Sequence, residues 1–154
     1  MGFKEIKLNN LVTLNSSYVF SHCENVTNIY LPNLISLSTS YTTEYCFDSC
    51  YNVKKIYAPK LTTIGVGAYS TAYCMASMHE IEELEFPSLE KIGYLNNNYA
   101  AWYTWAYDFK LKRFSAPNLK TFWGTGNFSF DYKLEDIDLS SVTEISQEQT
   151  RWID

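Results

Sequence analysis

Apolar residues recur along the chain in a pattern that is repeated six times. In the clearest copy, Val53 to Ile64, apolar side chains stand at the first, fourth and sixth positions, a Pro follows, and two more apolar residues come three positions apart. The fourth and sixth positions alternate with an outward residue, which indicates a short strand with one buried side. The copies begin near residues 3, 26, 53, 81, 111 and 134. Regular units of this length predict a solenoid, in which each unit buries its apolar face against the next.

A second set of inward positions precedes each copy. The residue six places before a unit is large and apolar, and the residue three places before it is Cys, Met or Asp. The two sets are Phe20, Phe47, Met75, Trp105 and Phe128, and Cys23, Cys50, Met78, Asp108 and Asp131. Steps of three suit a short helix or a tight turn, so the return to the next strand is helical or irregular. The predicted fold class is α/β or mainly β, a repeat solenoid of about six units with short parallel strands.

Two units carry Phe, Cys, the apolar positions and Pro together, FSHCENVTNIYLPNLISL (20–37) and FDSCYNVKKIYAPKLTTI (47–64). They resemble the BspA-like leucine-rich repeat, and the resemblance extends over roughly residues 3–145. It implies a right-handed leucine-rich-repeat coil. It also implies a non-enzymatic, protein-binding role in adhesion or host interaction, at a bacterial surface or in a secreted protein. The first and last units depart from the repeat, since Asn9 and Ser140 stand in place of Pro.

The domain prediction is a single leucine-rich-repeat domain over residues 1–154, because no Gly/Ser-rich or Pro-rich linker divides the chain. Residues 146–154 are expected to form a C-terminal tail or cap, in which Trp152 and Ile153 cover the last coil. The N-terminus has no secretion signal, and no apolar run is long enough to insert into a membrane. We expect an extracellular or cell-surface location if the chain is a segment of a longer secreted protein, and a cytoplasmic one if it is full length.

Charge and chemistry exclude several functions. The net charge of −5, with scattered Lys and Arg, argues against nucleic acid as a partner. Catalysis needs a nucleophile, an acid–base pair or a metal at fixed geometry, and the sequence supplies no such set. The runs GVGAY and GTGNF follow the second extended piece of their units, so their glycines are interpreted as corner turns rather than phosphate cradles. We expect no enzyme, no cofactor and no metal.

The four cysteines fall at two repeat positions. Cys23 and Cys50 share one, and Cys46 and Cys74 share another, so each pair lies on neighbouring coils. In-register stacking sets the Cβ atoms roughly parallel, which rarely suits a disulfide. Free structural thiols are therefore predicted, with a disulfide between Cys46 and Cys74 as the alternative.

One predicted binding surface is formed by the outward residues of the first strand of each unit, which should line up in ladders across the coils. Its candidate partner-binding residues are Asn28, Tyr30, Lys55, Tyr57, Glu83, Glu85 and Arg113. Tyr30 beside Tyr57 is typical of rigid amphipathic patches at interfaces. The alternative is that the two tyrosines only stabilise the strand pair.

A second candidate surface is the long return at residues 93–109, with Tyr99, Trp102 and Tyr103. Its aromatic side chains either cover a widened coil or form an exposed platform for a protein or a glycan. The first functional hypothesis is therefore a protein-binding module with an unidentified protein partner. The alternatives are a glycan-binding module that uses residues 93–109, or an intracellular inhibitor or effector that blocks a partner protein.

Overall fold

The computed structural model describes residues 2–39, 43–67, 71–94 and 101–145. Tyr99 and the predicted cap at 146–154 lie outside these ranges. Each unit contributes a three-residue strand and a two-residue strand. The strands are β1 (Glu5–Lys7), β2 (Thr13–Leu14), β3 (Asn28–Tyr30), β4 (Ser36–Leu37), β5 (Lys55–Tyr57), β6 (Thr63–Ile64), β7 (Glu83–Glu85), β8 (Lys91–Ile92), β9 (Arg113–Ser115), β10 (Thr121–Phe122), β11 (Asp136–Asp138) and β12 (Glu144–Ile145).

All strand pairing is parallel and joins equivalent positions of consecutive units. The second strands form one six-stranded sheet in the order β12-β10-β8-β6-β4-β2. The first strands pair in the predicted register, with Ile29 of β3 opposite Ile6 on one side and Ile56 on the other. The predicted repeat solenoid with short parallel strands is confirmed. The described ranges contain no helix, so the returns between units take the irregular form.

The first strands do not form a continuous ladder, contrary to what the sequence predicts. They form two three-stranded sheets, β1-β3-β5 and β11-β9-β7. β5 and β7 lie on consecutive coils but are not hydrogen-bonded neighbours, whereas β6 and β8 of the same two units pair through Thr63 with Lys91 and Ile64 with Ile92. The solenoid is therefore held across this boundary by its second sheet, by hydrogen bonds between the returns and by its core.

The returns are hydrogen-bonded from coil to coil in the same way as the strands. The backbone N–H of Phe20 donates to Cys46 at 2.8 Å, and that of Phe47 donates to Cys74 at 2.8 Å. The same offset continues from Met75 to Thr104 at 2.9 Å. Each return residue therefore sits directly beside its counterpart in the next unit.

The predicted inward positions form the core. Phe47, Met75 and Trp105 are buried, and Phe20 and Phe128 at the two ends are half-buried. Their rings stack between coils, with centroids 5.5 Å apart for Phe20 and Phe47 and 5.5 Å apart for Trp105 and Phe128. Each large apolar side chain that is fully buried contributes roughly 2 kcal/mol to folding. This column therefore ties the irregular returns to the strand side of the coil.

The cysteines are free thiols, as the repeat positions predict. Three of them donate to carbonyl groups of the preceding coil, Cys46 Sγ to Ser16 at 2.7 Å, Cys50 Sγ to Phe20 at 3.1 Å and Cys74 Sγ to Thr43 at 2.6 Å. Burial raises the pKa of Cys50 to about 12 and raises that of Cys74 well above its ordinary value. Since the thiolate is the reactive form, these buried thiols are inert side chains of the core.

Gly93 is a corner that tolerates no side chain. Its φ is +79°, and a Cβ atom added there would lie 1.5 Å from the carbonyl oxygen of Trp123 on the next coil. The left-handed backbone conformation is itself unfavourable for residues with a Cβ. The clash is with backbone, so it is relieved only by moving two coils apart.

Gly93→Ala should lower the free energy of unfolding by at least about 2 kcal/mol, because strain and backbone displacement add together. Urea unfolding followed by circular dichroism measures the change. Gly2→Ala is the matched control, since a Cβ there meets only the side chain of Asn25. Equal stability of the two variants would show that the corner is not constrained.

Candidate binding surfaces

The β1-β3-β5 half of the first-strand face carries tyrosines and lysines in ordered contact. Tyr30 and Tyr57 are register partners, with ring centroids 6.4 Å apart and a tilt of 56°. The ammonium groups of Lys7 and Lys55 lie 5.6 and 6.0 Å from the centroids of Tyr30 and Tyr57 respectively. Tyr57 is 44% exposed, and Asn28 is half-buried on the same strand as Tyr30. Four of the predicted residues, Asn28, Tyr30, Lys55 and Tyr57, therefore form one surface.

The β7-β9-β11 half is acidic. Glu83, Glu85 and Arg113 are all exposed, as predicted. The Arg113 Nε lies 3.3 Å from Asp136 Oδ2 of the next coil, so these two charges offset each other. Among the residues that the structure describes, Glu83 and Glu85 make no ion pair. Two uncompensated carboxylates therefore stand on the strand that borders the interruption in the ladder.

The predicted platform on the long return is packed more closely than a platform requires. Tyr103 stacks on Tyr73 with centroids 5.2 Å apart and planes 7° from parallel. A Cβ atom at Gly126 would approach the Tyr103 ring to 2.8 Å, so the opposite ring face is also covered. Trp102 meets Tyr103 edge to face at 5.2 Å. Both faces of Tyr103 are occupied within the protein, and Tyr99 lies outside the described residues.

Tyr103 ends a column of tyrosines that the sequence analysis did not identify. Tyr18, Tyr45, Tyr73 and Tyr103 stack with successive centroid distances of 5.0, 5.1 and 5.2 Å. All four have a positive φ, between 52° and 60°. The signal was present in the sequence, because each tyrosine stands eight places before the start of its unit. The column fixes the shape of the return.

A second cluster on the returns is here named the outer aromatic patch, and it consists of Tyr107, Phe109, Phe130 and Tyr132. Tyr107 stacks on Phe130 at 4.5 Å, and Phe109 stacks on Tyr132 at 6.4 Å. Phe109, Phe130 and Tyr132 are 40%, 41% and 75% exposed. Tyr107 and Phe130 stand four places before the start of a unit, and Phe109 and Tyr132 stand two places before it. A comparison of equivalent repeat positions would therefore have identified them from the sequence. The patch is the most exposed group of aromatic side chains on the returns described.

His79 is packed between aromatic rings of neighbouring coils. His79 lies between the rings of Tyr51 and Phe109, with centroids 4.7 and 4.6 Å away, and burial lowers its pKa. Within the described ranges, no three His, Cys, Asp or Glu side chains come together as metal ligands. The same ranges contain no helix with the length and hydropathy to cross a membrane.

Comparison with known families decides the affiliation of the chain. The family model described as BspA type leucine rich repeat region matches residues 1–96 in six copies. The chain belongs to this family. Four of the units defined above begin within the matched range, and the units beginning at 111 and 134 repeat the same strand geometry beyond it. No curated protein and no solved structure matches the chain. Leucine-rich repeats are typically non-enzymatic scaffolds that mediate protein interactions.

The leucine-rich-repeat core contains two stacked carboxyl groups where earlier units have Cys or Met. Asp108 Oδ1 accepts the backbone N–H of Met78 at 2.7 Å, and Asp131 Oδ1 accepts that of Asp108 at 2.8 Å. The Oδ2 atom of each is buried without a hydrogen-bond partner. Burial raises the pKa of Asp131 to about 8, and burial together with the neighbouring Asp131 raises the pKa of Asp108 well above its ordinary value. The Asp131 carboxyl group is therefore held as a neutral acid near neutral pH, and Asp108 holds its proton more tightly than an ordinary aspartate.

The free energy of unfolding should fall as the pH rises from about 5 to 8. The folded state holds its proton on Asp131 more tightly than the unfolded chain, so the stability that this proton provides is lost as the pH rises through the folded pKa. The loss for one such group is at most about 1.4 kcal/mol per pH unit. Asp131→Asn keeps the acceptor oxygen without the charge, and it should flatten this dependence and raise the melting temperature at pH 8.

Thermal melts across this pH range measure the effect. Glu144→Gln, which removes an exposed carboxylate on β12, is the control and should leave the slope of the wild type unchanged. An unaltered slope in Asp131→Asn would contradict the assignment of a raised pKa to this side chain.

Proposed function

We propose that this chain is a non-enzymatic protein-binding module that engages its partner through the first-strand face. The proposal is supported by the ordered arrangement of Tyr30, Tyr57, Lys7 and Lys55. The tyrosines are half-exposed side chains with few rotatable bonds, and the lysine ammonium groups are held against their rings. Such a surface loses little conformational entropy when it binds, which is a property of interface hot spots.

The coil beneath this face supports the same role. Outward residues on the first strands alternate with buried residues such as Ile29 and Ile56, which pack in the core. The outward side chains are therefore positioned by the coil but are not required to fill it. A binding surface of this kind is preorganised, so the geometry of contact does not have to be assembled when the partner arrives.

We further propose an adhesion or host-interaction role at a bacterial surface, as part of a longer secreted protein located outside the cell. This step rests on the BspA-type affiliation and on the face described above. The competing roles are an intracellular protein that blocks its partner and a glycan-binding module that uses residues 93–109. For the glycan role, stacking leaves Tyr103 only its ring edge, whereas sugars are bound against open ring faces.

The experiment is a pull-down from extracellular-matrix extract and from bacterial lysate with immobilised protein. Tyr30→Ser combined with Tyr57→Ser should lose the captured protein, because it removes the central apolar area of the face and both cation–π contacts. Tyr132→Ser is the matched control, since it removes an equally polar-tipped ring that is 75% exposed on the outer aromatic patch. Circular dichroism checks that all variants fold alike.

Each result has a defined meaning. Capture from matrix by wild type and by Tyr132→Ser, with loss by the double variant, would support the proposed face and location. Retention by the double variant would overturn the choice of face, and loss in Tyr132→Ser alone would move the site to the returns. Capture only from lysate would favour the intracellular role, and no protein captured from either source would overturn protein binding.

A further inference from the structure

The first-strand face is electrically divided at the same place where its hydrogen-bond ladder is interrupted. The β1-β3-β5 half presents two lysines, Lys7 and Lys55, and a single carboxylate, Glu5, which is paired with Lys7. The β7-β9-β11 half presents one arginine and four carboxylates, two of them on β7. The division lies between the third and fourth of six units, in the middle of the face.

Three charges beside the division make no ion pair among the residues that the structure describes. Lys55 on β5 lies over the ring of Tyr57 and makes no ion pair among the described residues. Glu83 and Glu85 on β7 are likewise without an ion pair there. Although Lys55 and Glu83 hold equivalent positions on consecutive coils, they do not meet. Between the fourth and fifth coils, by contrast, opposite charges do pair, as in Glu80 with Lys110 at 2.8 Å.

The dimensions of the face suit a single extended chain. Parallel strands lie about 4.8 Å apart, so six of them span about 24 Å across the coils. Each first strand is only three residues long, so the strip is about 10 Å wide. An extended peptide advances about 3.3 Å per residue, and about seven residues would therefore cross the face.

We infer that the partner contacts this face through an extended segment of about seven residues that is acidic in one half and basic in the other. This inference rests on the function proposed above and names the chemistry of the partner. The acidic half lies over Lys7 and Lys55, beside the hydroxyl groups of Tyr30 and Tyr57. The basic half lies over Glu83 and Glu85. The junction between the two halves lies over the interruption between β5 and β7.

Charge order rather than composition is the discriminating property. Lys7 and Lys55 lie two strand spacings apart, about 9.6 Å or three residues of an extended segment. A segment with alternating charges that covers Lys7, Lys55 and Glu83 therefore places a like charge either over Lys7 or over both Lys55 and Glu83. A segment with its charges in two blocks avoids both clashes. Either order of the blocks along the chain is suitable, because the segment can bind in either direction. Exposed ion pairs are individually weak, so a preference of about five- to tenfold is expected at low salt. It should disappear at high salt, because the charges are solvent-exposed.

The test uses two labelled peptides of identical composition, EEEEKKK with its charges in two blocks and EKEKEKE with alternating charges, both acetylated and amidated at the termini, and fluorescence anisotropy at low and high salt. The peptide with its charges in two blocks should bind wild-type protein more tightly than the other peptide. Lys55→Glu, or the Glu83→Lys, Glu85→Lys double variant, should abolish this difference in affinity. Lys91→Glu on β8, in the second sheet, is the control and should retain it.

Equal binding of the two peptides, binding of neither, or a preference that survives Lys55→Glu would each overturn the inference. These outcomes differ from a failure of the proposed function. If the pull-down still yields a protein that the Tyr30→Ser, Tyr57→Ser variant loses, the face remains the binding surface and only the charge order of the partner is wrong. The converse outcome is that the peptide with its charges in two blocks binds preferentially while the pull-down is unaffected by the Tyr30→Ser, Tyr57→Ser variant. In that case the proposed function is wrong, although the electrostatic preference exists.

Discussion

The structure depends on one constraint, which is that each coil lies in register with the next and is hydrogen-bonded to it along most of its length. The constraint holds on strands, where Ile29 is paired with Ile6 and Ile56, and on returns, where Phe20 donates to Cys46. Side chains at one position therefore lie in columns about one strand spacing apart. The side chains of one column must therefore pack favourably against one another, because each is in contact with its counterparts on the neighbouring coils.

The columns show three ways of meeting this demand. Apolar positions fill the core with little cost. Tyrosines on the returns stack ring upon ring, and this contact offsets the unfavourable left-handed backbone of Tyr45 and Tyr73. Carboxyl groups in the inward column are the least favourable case, because they are buried next to each other. Asp108 and Asp131 are accommodated because each accepts a backbone N–H from the preceding coil and carries a raised pKa.

Periodicity was sufficient to predict the coil, the strand positions and the inward columns, because burial recurs at fixed offsets and Pro ends the first strand. It identified Trp105 and Cys50 as core residues in returns that have no regular secondary structure. The tyrosine column recurs with the same period, but a pattern of apolar positions does not single out amphipathic tyrosines, and the positive φ at Tyr18 is a backbone property that hydropathy does not encode. Nor did periodicity reveal the gap between β5 and β7, because adjacency in a repeat does not determine whether two strands approach closely enough to bond.

The two kinds of outward surface are consequently suited to different tasks. In the tyrosine column of the returns, stacking covers ring faces, as at Tyr103, so these aromatic residues mainly stiffen the coil. On the first strands, the tilt of 56° between Tyr30 and Tyr57 leaves ring surface open, and lysine ammonium groups occupy only part of it. Outward strand residues can also change without disturbing the buried residues between them. Outward residues of the first-strand face can therefore vary at little cost in stability, whereas a change in a stacked return column alters the packing of two neighbouring coils.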